Sequence, residues 1–130
     1  MKACRVEIVT FADGERSYFN AGGQLSEREN GFTAVYPVEE DVARLELDGS
    51  ALVMLRSGGS RLQARFSSGE PGELLIGLSE ASGGIPLQTH VCSARRTKDG
   101  WRILLHYRLM SETERVFRLH IAVNIISEEQ

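Results

Sequence analysis

One arginine stands out because the residues around it alternate in a way that places it on an apolar face. Asp48-Gly49 separates two alternating segments and favours a two-residue hairpin turn, which places Leu45 opposite Leu52 and Arg56 on the face these leucines share. A guanidinium group at the mouth of an apolar interior can hold a carboxylate or phosphate through two parallel hydrogen bonds. Arg56 is therefore the first candidate ligand-binding residue. The competing interpretations are an ion pair with a glutamate such as Glu39, a side chain that extends to solvent at the rim, and an outward position after a three-residue turn.

Two tyrosines are the other candidate ligand-binding residues. Tyr107 alternates with Trp101, Leu105 and Leu109, so its hydroxyl group is expected inside the fold, where it needs a hydrogen-bond partner. A ligand can be that partner, and so can a neighbouring side chain or a buried water molecule. Tyr36 is a weaker candidate of the same kind.

The sequence contains no motif typical of catalysis, a metal site or a cofactor site. No Gly-x-Ser-x-Gly elbow is present, and the pairs Gly22-Gly23, Gly58-Gly59 and Gly83-Gly84 lack the lysine and the strand-to-helix context of a phosphate loop, so they are interpreted as turns. His106 and His120 fall on the polar face of their strands beside arginines, which repel a cation, and zinc needs three or four convergent ligands. We expect no catalytic residue, no metal and no cofactor.

Composition limits the class of protein. A chain of 130 residues, 42% of them apolar, fits a single domain over residues 1–130 with a hydrophobic core. The net charge of -3 supplies no electrostatic reason to expect nucleic acid or a membrane as a partner. The start of the chain lacks the long apolar core of a signal peptide, and Cys4 and Cys92 have no CxxC partner. We expect a cytoplasmic protein with reduced cysteines.

Alternation of apolar and polar residues with a period of two runs through almost the whole chain and predicts β-strands. The predicted strands cover residues 2–12, 15–20, 24–28, 32–38, 42–47, 51–56, 62–66, 73–78, 85–94, 101–110 and 116–126. Only residues 39–43 and 78–82 favour a helical turn, and both are too short for a stable helix. Sequential antiparallel strands with short connections predict an all-β fold, an antiparallel up-and-down barrel of about eight to ten strands, because closure removes exposed edges. A flattened sandwich is the alternative.

The last hairpin allows a prediction of register. A short loop at residues 111–114 pairs residues whose numbers sum to 226, which places His106 opposite His120 on the outer face. The same register sends two sets of side chains to the core: Trp101, Ile103, Leu105, Tyr107 and Leu109 with Phe117, Leu119, Ile121 and Val123.

Several short motifs resemble the YwiB-like family of bacterial proteins of unknown function. They are Leu45-Glu46-Leu47-Asp48-Gly49, then Leu52 and Met54, Arg56-Ser57-Gly58 and Phe66, then Gly83 with Ile85-Pro86-Leu87, and Tyr107 with Leu109. The resemblance covers residues 5–124 and implies a calycin-like barrel, similar to lipocalins and fatty-acid-binding proteins, with no known activity. Residues 80–83 depart from the Thr-Pro-Tyr-Gly-like turn of the family, so a function that depends on that turn is not implied for this chain.

Two functions compete. The first is a binding module in which the barrel interior or its mouth holds a small amphipathic or anionic molecule near Arg56. The second is a homodimeric interaction protein with a filled barrel, in which Ala51, Val53 and Leu55 form an outward apolar strip. Enzyme activity is a weaker third alternative, because no catalytic site is visible.

Overall fold

The computed structural model describes residues 1–59, 61–78, 81–110 and 116–128, and these residues form ten β-strands and no helix. The strands are β1 Lys2–Ala12, β2 Glu15–Arg28, β3 Gly31–Val38, β4 Asp41–Asp48, β5 Ala51–Ser57, β6 Arg61–Phe66, β7 Pro71–Leu78, β8 Ala81–Arg96, β9 Gly100–Met110 and β10 Val116–Ser127. Each strand pairs antiparallel with the next, and β1 also pairs with β10, so the sheet closes into a barrel. The predicted all-β up-and-down barrel is confirmed. Within the described ranges there is no helix long and apolar enough to cross a membrane.

One end of the barrel is filled by side chains that meet across its interior. Trp101 from β9 packs on Phe32 from β3 with their ring centroids 5.2 Å apart, and its indole nitrogen donates a hydrogen bond of 3.1 Å to Glu27. The Arg96 guanidinium lies 4.8 Å from the centre of the Trp101 ring and donates to the main-chain carbonyl of Arg28. We call this end, which carries the turns at residues 29–30, 49–50 and 97–99, the Trp101 end.

The opposite end carries the turns at residues 13–14, 39–40 and 58–59, and we call it the Arg56 end. Six apolar side chains that pack against the core in this half of the barrel are only partly buried: Ile8, Phe19, Met54, Leu74, Tyr107 and Leu109. By contrast, Phe32, Leu45 and Ile103 are 0% exposed. The interior is therefore packed more tightly toward the Trp101 end.

The predicted register of the last hairpin is confirmed. His106 pairs with His120, and Trp101 pairs with Ile125, so partner numbers sum to 226. Ile103, Leu105 and Val123 are fully buried, as expected for the inward face. The side chain of Phe117 and the loop at residues 111–115 lie outside the described part of the chain.

The hairpin that carries Arg56 differs from its prediction by two residues. Leu45 pairs with Met54 rather than with Leu52, so the two turn residues are Gly49 and Ser50. Gly49 adopts φ of +64°, which a two-residue turn with glycine first requires. A shift of two residues keeps every side chain on its predicted face, because the side-chain period of a strand is also two. In the same way the turn between β2 and β3 lies at residues 29–30 and not at 30–31.

Two glycine pairs interpreted as turns lie inside strands, and that interpretation was wrong. Gly22-Gly23 lies within β2, and Gly83-Gly84 lies within β8. A Cβ atom on Gly23 would lie 2.4 Å from the Val35 carbonyl oxygen, so glycine permits close approach of two backbones here rather than a turn. Gly58-Gly59 does lie between strands.

The segments expected to favour a helical turn do not contain one in their described residues. Residues 39–40 form the turn between β3 and β4, where Glu39 has φ of +55°, and β4 begins at Asp41. Leu78 ends β7 and Ala81 begins β8, while residues 79–80 lie outside the described ranges. Strand pairing on both sides outweighs the local preference.

Candidate functional site

Arg56 lies near the end of β5 on the inward face and forms an ion pair. Its Nε donates a hydrogen bond of 2.8 Å to Oδ2 of Asp41, and its Nη2 lies 3.8 Å from Oε2 of Glu39. The Asp41 side chain is 10% exposed, the Arg56 side chain 33% and the Glu39 side chain 86%. The inward position of Arg56 and its contact with an acidic side chain are confirmed. The pair with Glu39 proposed from the sequence is the longer and more exposed of the two contacts.

Asp41 also ties down the chain that follows β5. Its Oδ1 accepts a hydrogen bond of 2.9 Å from the Gly59 main-chain nitrogen. A Cβ atom on Gly58, where φ is +146°, would lie 2.0 Å from the same oxygen, so glycine permits this approach. One carboxylate therefore holds Arg56 on one side and the glycine turn on the other.

Tyr36 and Arg56 lie on β3 and β5, the two strands that flank β4. Tyr36 pairs with Ala43, and Ala43 pairs with Arg56, so all three side chains face inward. Tyr36 is 4% exposed and packs on Phe19 with ring centroids 5.9 Å apart. Burial raises the pKa of Tyr36 to about 12, and the positive charge of Arg56 opposes that rise. Tyr36 is therefore a neutral hydroxyl group beside a charged guanidinium.

A groove of about 700 Å³ runs over the outer faces of β3 to β7 and reaches Arg56 at the rim of the barrel. Four outward apolar side chains line it, Val35, Val42, Leu55 and Leu75, and Leu62 and Ile76 complete the apolar lining. Val42 is 49% exposed and Leu75 is 45% exposed, which is high for large apolar residues. We call this feature the outer groove, and its volume lies within the roughly 300–1,000 Å³ typical of small-molecule sites.

The charged lining of the outer groove has one sign. Arg44, Arg56 and Arg61 line it, and none of the lining residues that the structure describes is acidic. Arg44 contacts Glu46 at 3.2 Å, while Arg61 forms no hydrogen bond or ion pair with any described residue. Ser57 and Gln63 add neutral hydrogen-bonding groups. Such a lining can bind an anion that carries an apolar group.

Tyr107 lies away from this groove, inside the barrel. Its ring packs on Phe66 with centroids 4.8 Å apart, and burial raises its pKa to about 12. It pairs across strands with Thr89, which is fully buried and whose hydroxyl oxygen has no hydrogen-bond partner among the described residues. The structure thus brings Arg56 and Tyr36 together and places Tyr107 elsewhere.

Comparison with known proteins agrees with this architecture. The profile of a family described as a domain of unknown function (DUF1934) matches residues 5–123. The chain belongs to this family. The structure is also similar to the crystal structure of the ywiB protein from Bacillus subtilis, with a TM-score of 0.72 and 15% sequence identity, over 98% of this chain and 91% of that chain. At that identity the similarity concerns the fold. The predicted resemblance to the YwiB-like family is confirmed, and no curated protein sequence matches the chain.

The sequence of this DUF1934 member did not single out Arg44 and Arg61, because an arginine at an outward position of a strand is ordinary on a solvated surface. A signal was present in the outward positions. Val42, Leu55 and Leu75 are apolar where alternation predicts polar residues on the outside of a barrel.

A second cluster lies on the outer face at the other side of the barrel. The rings of His106 and His120 are stacked, with centroids 4.0 Å apart and planes 11° from parallel. Partial burial lowers the pKa of His106 below its usual value, and the neighbouring His120 and His90 add smaller electrostatic contributions in the same direction. The described residues contain no group of three or more metal-binding side chains.

The histidine pair predicts a loss of stability in acid. Because the pKa of His106 is lower in the folded protein than in the unfolded chain, the unfolded chain binds more protons as pH falls below about 6.5. The free energy of unfolding should therefore decrease between pH 7.5 and pH 5.5. Denaturant unfolding at both pH values measures this, and His106→Gln should show a smaller decrease than the unmodified protein. An equal decrease in both would contradict the assignment to His106.

Proposed function

We propose that this protein binds a small amphipathic anion in the outer groove at the Arg56 end of the barrel. The observation that carries this proposal is the lining: six apolar side chains and three arginines, with no acidic residue in the described lining. The apolar part of the ligand would lie on Val42, Leu55 and Leu75, and its carboxylate or phosphate would lie between the arginines.

Arg61 is the residue that would hold the anionic group, with Arg44 beside it in the groove. Arg56 already has Asp41 at 2.8 Å, and its bound carboxylate weakens its attraction for a second anion. Arg61 is exposed and has no counter-charge among the described residues, so its guanidinium can accept a ligand without giving up an existing ion pair. Arg56, held by Asp41, would then form the rim of the site.

The hydroxyl groups of Thr89 and Tyr107, inside the barrel, are a further part of this proposal. Thr89 and Tyr107 face the partly filled half of the barrel, where Met54 and Leu74 remain half-buried. A ligand long enough to reach over the rim could place a polar group against these hydroxyls, and a buried water molecule would serve the same purpose. Up-and-down barrels of this size are able to hold one small ligand.

Titration with matched detergents tests the proposal. Dodecanoate and dodecyl phosphate should bind below their critical micelle concentrations, whereas dodecyltrimethylammonium, with the same tail and a positive head group, should not. Arg61→Glu should weaken dodecyl phosphate binding at least tenfold, because the anion would meet a negative charge. Arg65→Glu is the matched control, since Arg65 is an exposed outward arginine on the same strand outside the groove. Equal binding of both head groups, or equal effects of both variants, would refute the anion site.

A second copy of the chain is the alternative occupant of this surface. The exposed Val42 and Leu75 favour this reading, because contiguous outward apolar residues also mark dimer interfaces. Sedimentation of the purified protein over a range of concentrations distinguishes a dimer interface from a ligand-binding groove. A dimer that Leu75→Glu converts to a monomer would support the interface, and a monomer at high concentration would exclude it.

A further inference from the structure

The outer face of β8, β9 and β10 carries positive charge with nothing to neutralise it on these strands. None of the residues that the structure describes in the three strands is acidic. Arg95 lies directly opposite Arg102, and Arg108 lies directly opposite Arg118. All four arginines are exposed, and none forms a hydrogen bond or ion pair with a described residue. We call this surface the cationic face.

Like charges placed directly opposite each other destabilise an antiparallel pair. The arrangement occurs twice on the cationic face, and the stacked pair of His106 and His120 lies between the two arginine pairs. Arg102 and Arg108 are six residues apart on β9, which corresponds to about 20 Å. A surface with this repeated repulsion is stabilised when a polyanion spans it, because each negative group neutralises a pair.

Aromatic side chains adjoin the cationic face on β1 and β2. Phe11 pairs with His120 and is 47% exposed, and Tyr18 is 60% exposed. Arg16 lies over the Phe11 ring at 5.6 Å. A hollow of about 510 Å³ lies beside Phe11, Arg118 and His120, with Asp13 at its edge, and a hollow of about 300 Å³ lies between Arg95 and Arg102. Exposed rings therefore alternate with cations on neighbouring strands.

We propose that the cationic face is a docking surface for single-stranded nucleic acid. Arginines would track the phosphates while Phe11 and Tyr18 stack on bases, which is how exposed sheet surfaces bind single strands. An acidic peptide would neutralise the arginines but offers no planar groups for the exposed rings. A duplex is disfavoured, because the five neighbouring strands span about 19 Å, which is wider than the roughly 12 Å major groove. The net charge of -3 does not oppose this docking, because β8, β9 and β10 carry no acidic residue and the acidic residues beside them, Glu7, Asp13 and Glu15, belong to the β1–β2 hairpin at the edge of the surface.

Fluorescence anisotropy with fluorescein-labelled dodecauridylate tests the proposal. We expect saturable binding at 50 mM salt that weakens about 50-fold at 200 mM, the dependence expected when about four phosphates of a single strand are neutralised. Absence of saturable binding at 50 mM salt would overturn the proposal.

Variants separate base stacking from simple charge attraction. Arg108→Glu should weaken binding at least tenfold while the melting temperature stays equal or rises, because a glutamate opposite Arg118 replaces repulsion by attraction. Tyr18→Ala and Phe11→Ala should each weaken binding at least fivefold through lost stacking. Arg65→Glu, which lies on β6 away from the cationic face, should leave binding unchanged. If dodecaglutamate binds as well as dodecauridylate and the aromatic variants have no effect, the face serves an acidic protein segment and the proposal is wrong.

Discussion

Replacement of Trp101 by alanine should lower the free energy of unfolding by about 4 kcal/mol, the largest single effect we expect in this protein. Trp101 is 6% exposed, packs on Phe32 across the barrel and donates its indole hydrogen to Glu27. The truncation would remove the ring and leave a cavity that the surrounding strands cannot close, because each strand is held by two neighbours. It would also leave the Arg96 guanidinium without its aromatic partner.

Urea unfolding followed by circular dichroism measures this effect, and Trp101→Phe is the matched control. Phenylalanine retains most of the ring packing on Phe32 but loses the hydrogen bond to Glu27, so its loss should be about 1 kcal/mol. A loss below 1 kcal/mol for Trp101→Ala would mean that the Trp101 end is not the packed end of the barrel.

Arg56→Met should lower the free energy of unfolding by about 2 kcal/mol. The substitution leaves the Asp41 carboxylate, whose side chain is 10% exposed, without its 2.8 Å ion pair. Breaking a fully buried pair typically costs about 3–5 kcal/mol, and the expected loss is smaller because a third of the Arg56 side chain reaches solvent. The hydrogen bond from the Gly59 nitrogen still stabilises the carboxylate.

A double substitution isolates the ion pair from the packing of the arginine stem. Arg56→Met combined with Asp41→Asn removes both charges, so its loss should be smaller than the sum of the two single losses by at least 1 kcal/mol. Arg44→Met is the control, because its contact with Glu46 is half-exposed and should contribute less than about 0.5 kcal/mol. An unchanged melting temperature for Arg56→Met would refute the structural role of the pair, and loss of dodecyl phosphate binding in that same variant would then make Arg56 a ligand-binding residue.

Local patterns were enough to predict the strands and the faces of their side chains. Alternation of apolar and polar residues placed Arg56 and Tyr107 inward and His106 outward, and the structure agrees at each of these positions. The predicted faces are correct even where the predicted turn position is wrong, because a two-residue shift at Gly49-Ser50 does not change the face on which a side chain lies. Glycine was the local signal that misled, because Gly23 and Gly84 permit close packing inside strands rather than turns.

The sequence by itself determined the all-β class, the hairpin-linked antiparallel strands and the inward or outward direction of most side chains, because these depend on neighbours two residues apart. The tertiary structure alone decided which charges meet. Asp41 contacts both Arg56 and Gly59, which lie 15 and 18 residues further along the chain, and Arg61 and Leu75 share the outer groove only because β6 and β7 pair. Closure of the barrel also gathers β8, β9 and β10 beside β1, so a chain with net charge -3 presents one face on which arginines and histidines have no acidic neighbour in these three strands. Net charge is a sum over the whole chain, whereas the field at a surface depends on which residues strand pairing brings side by side.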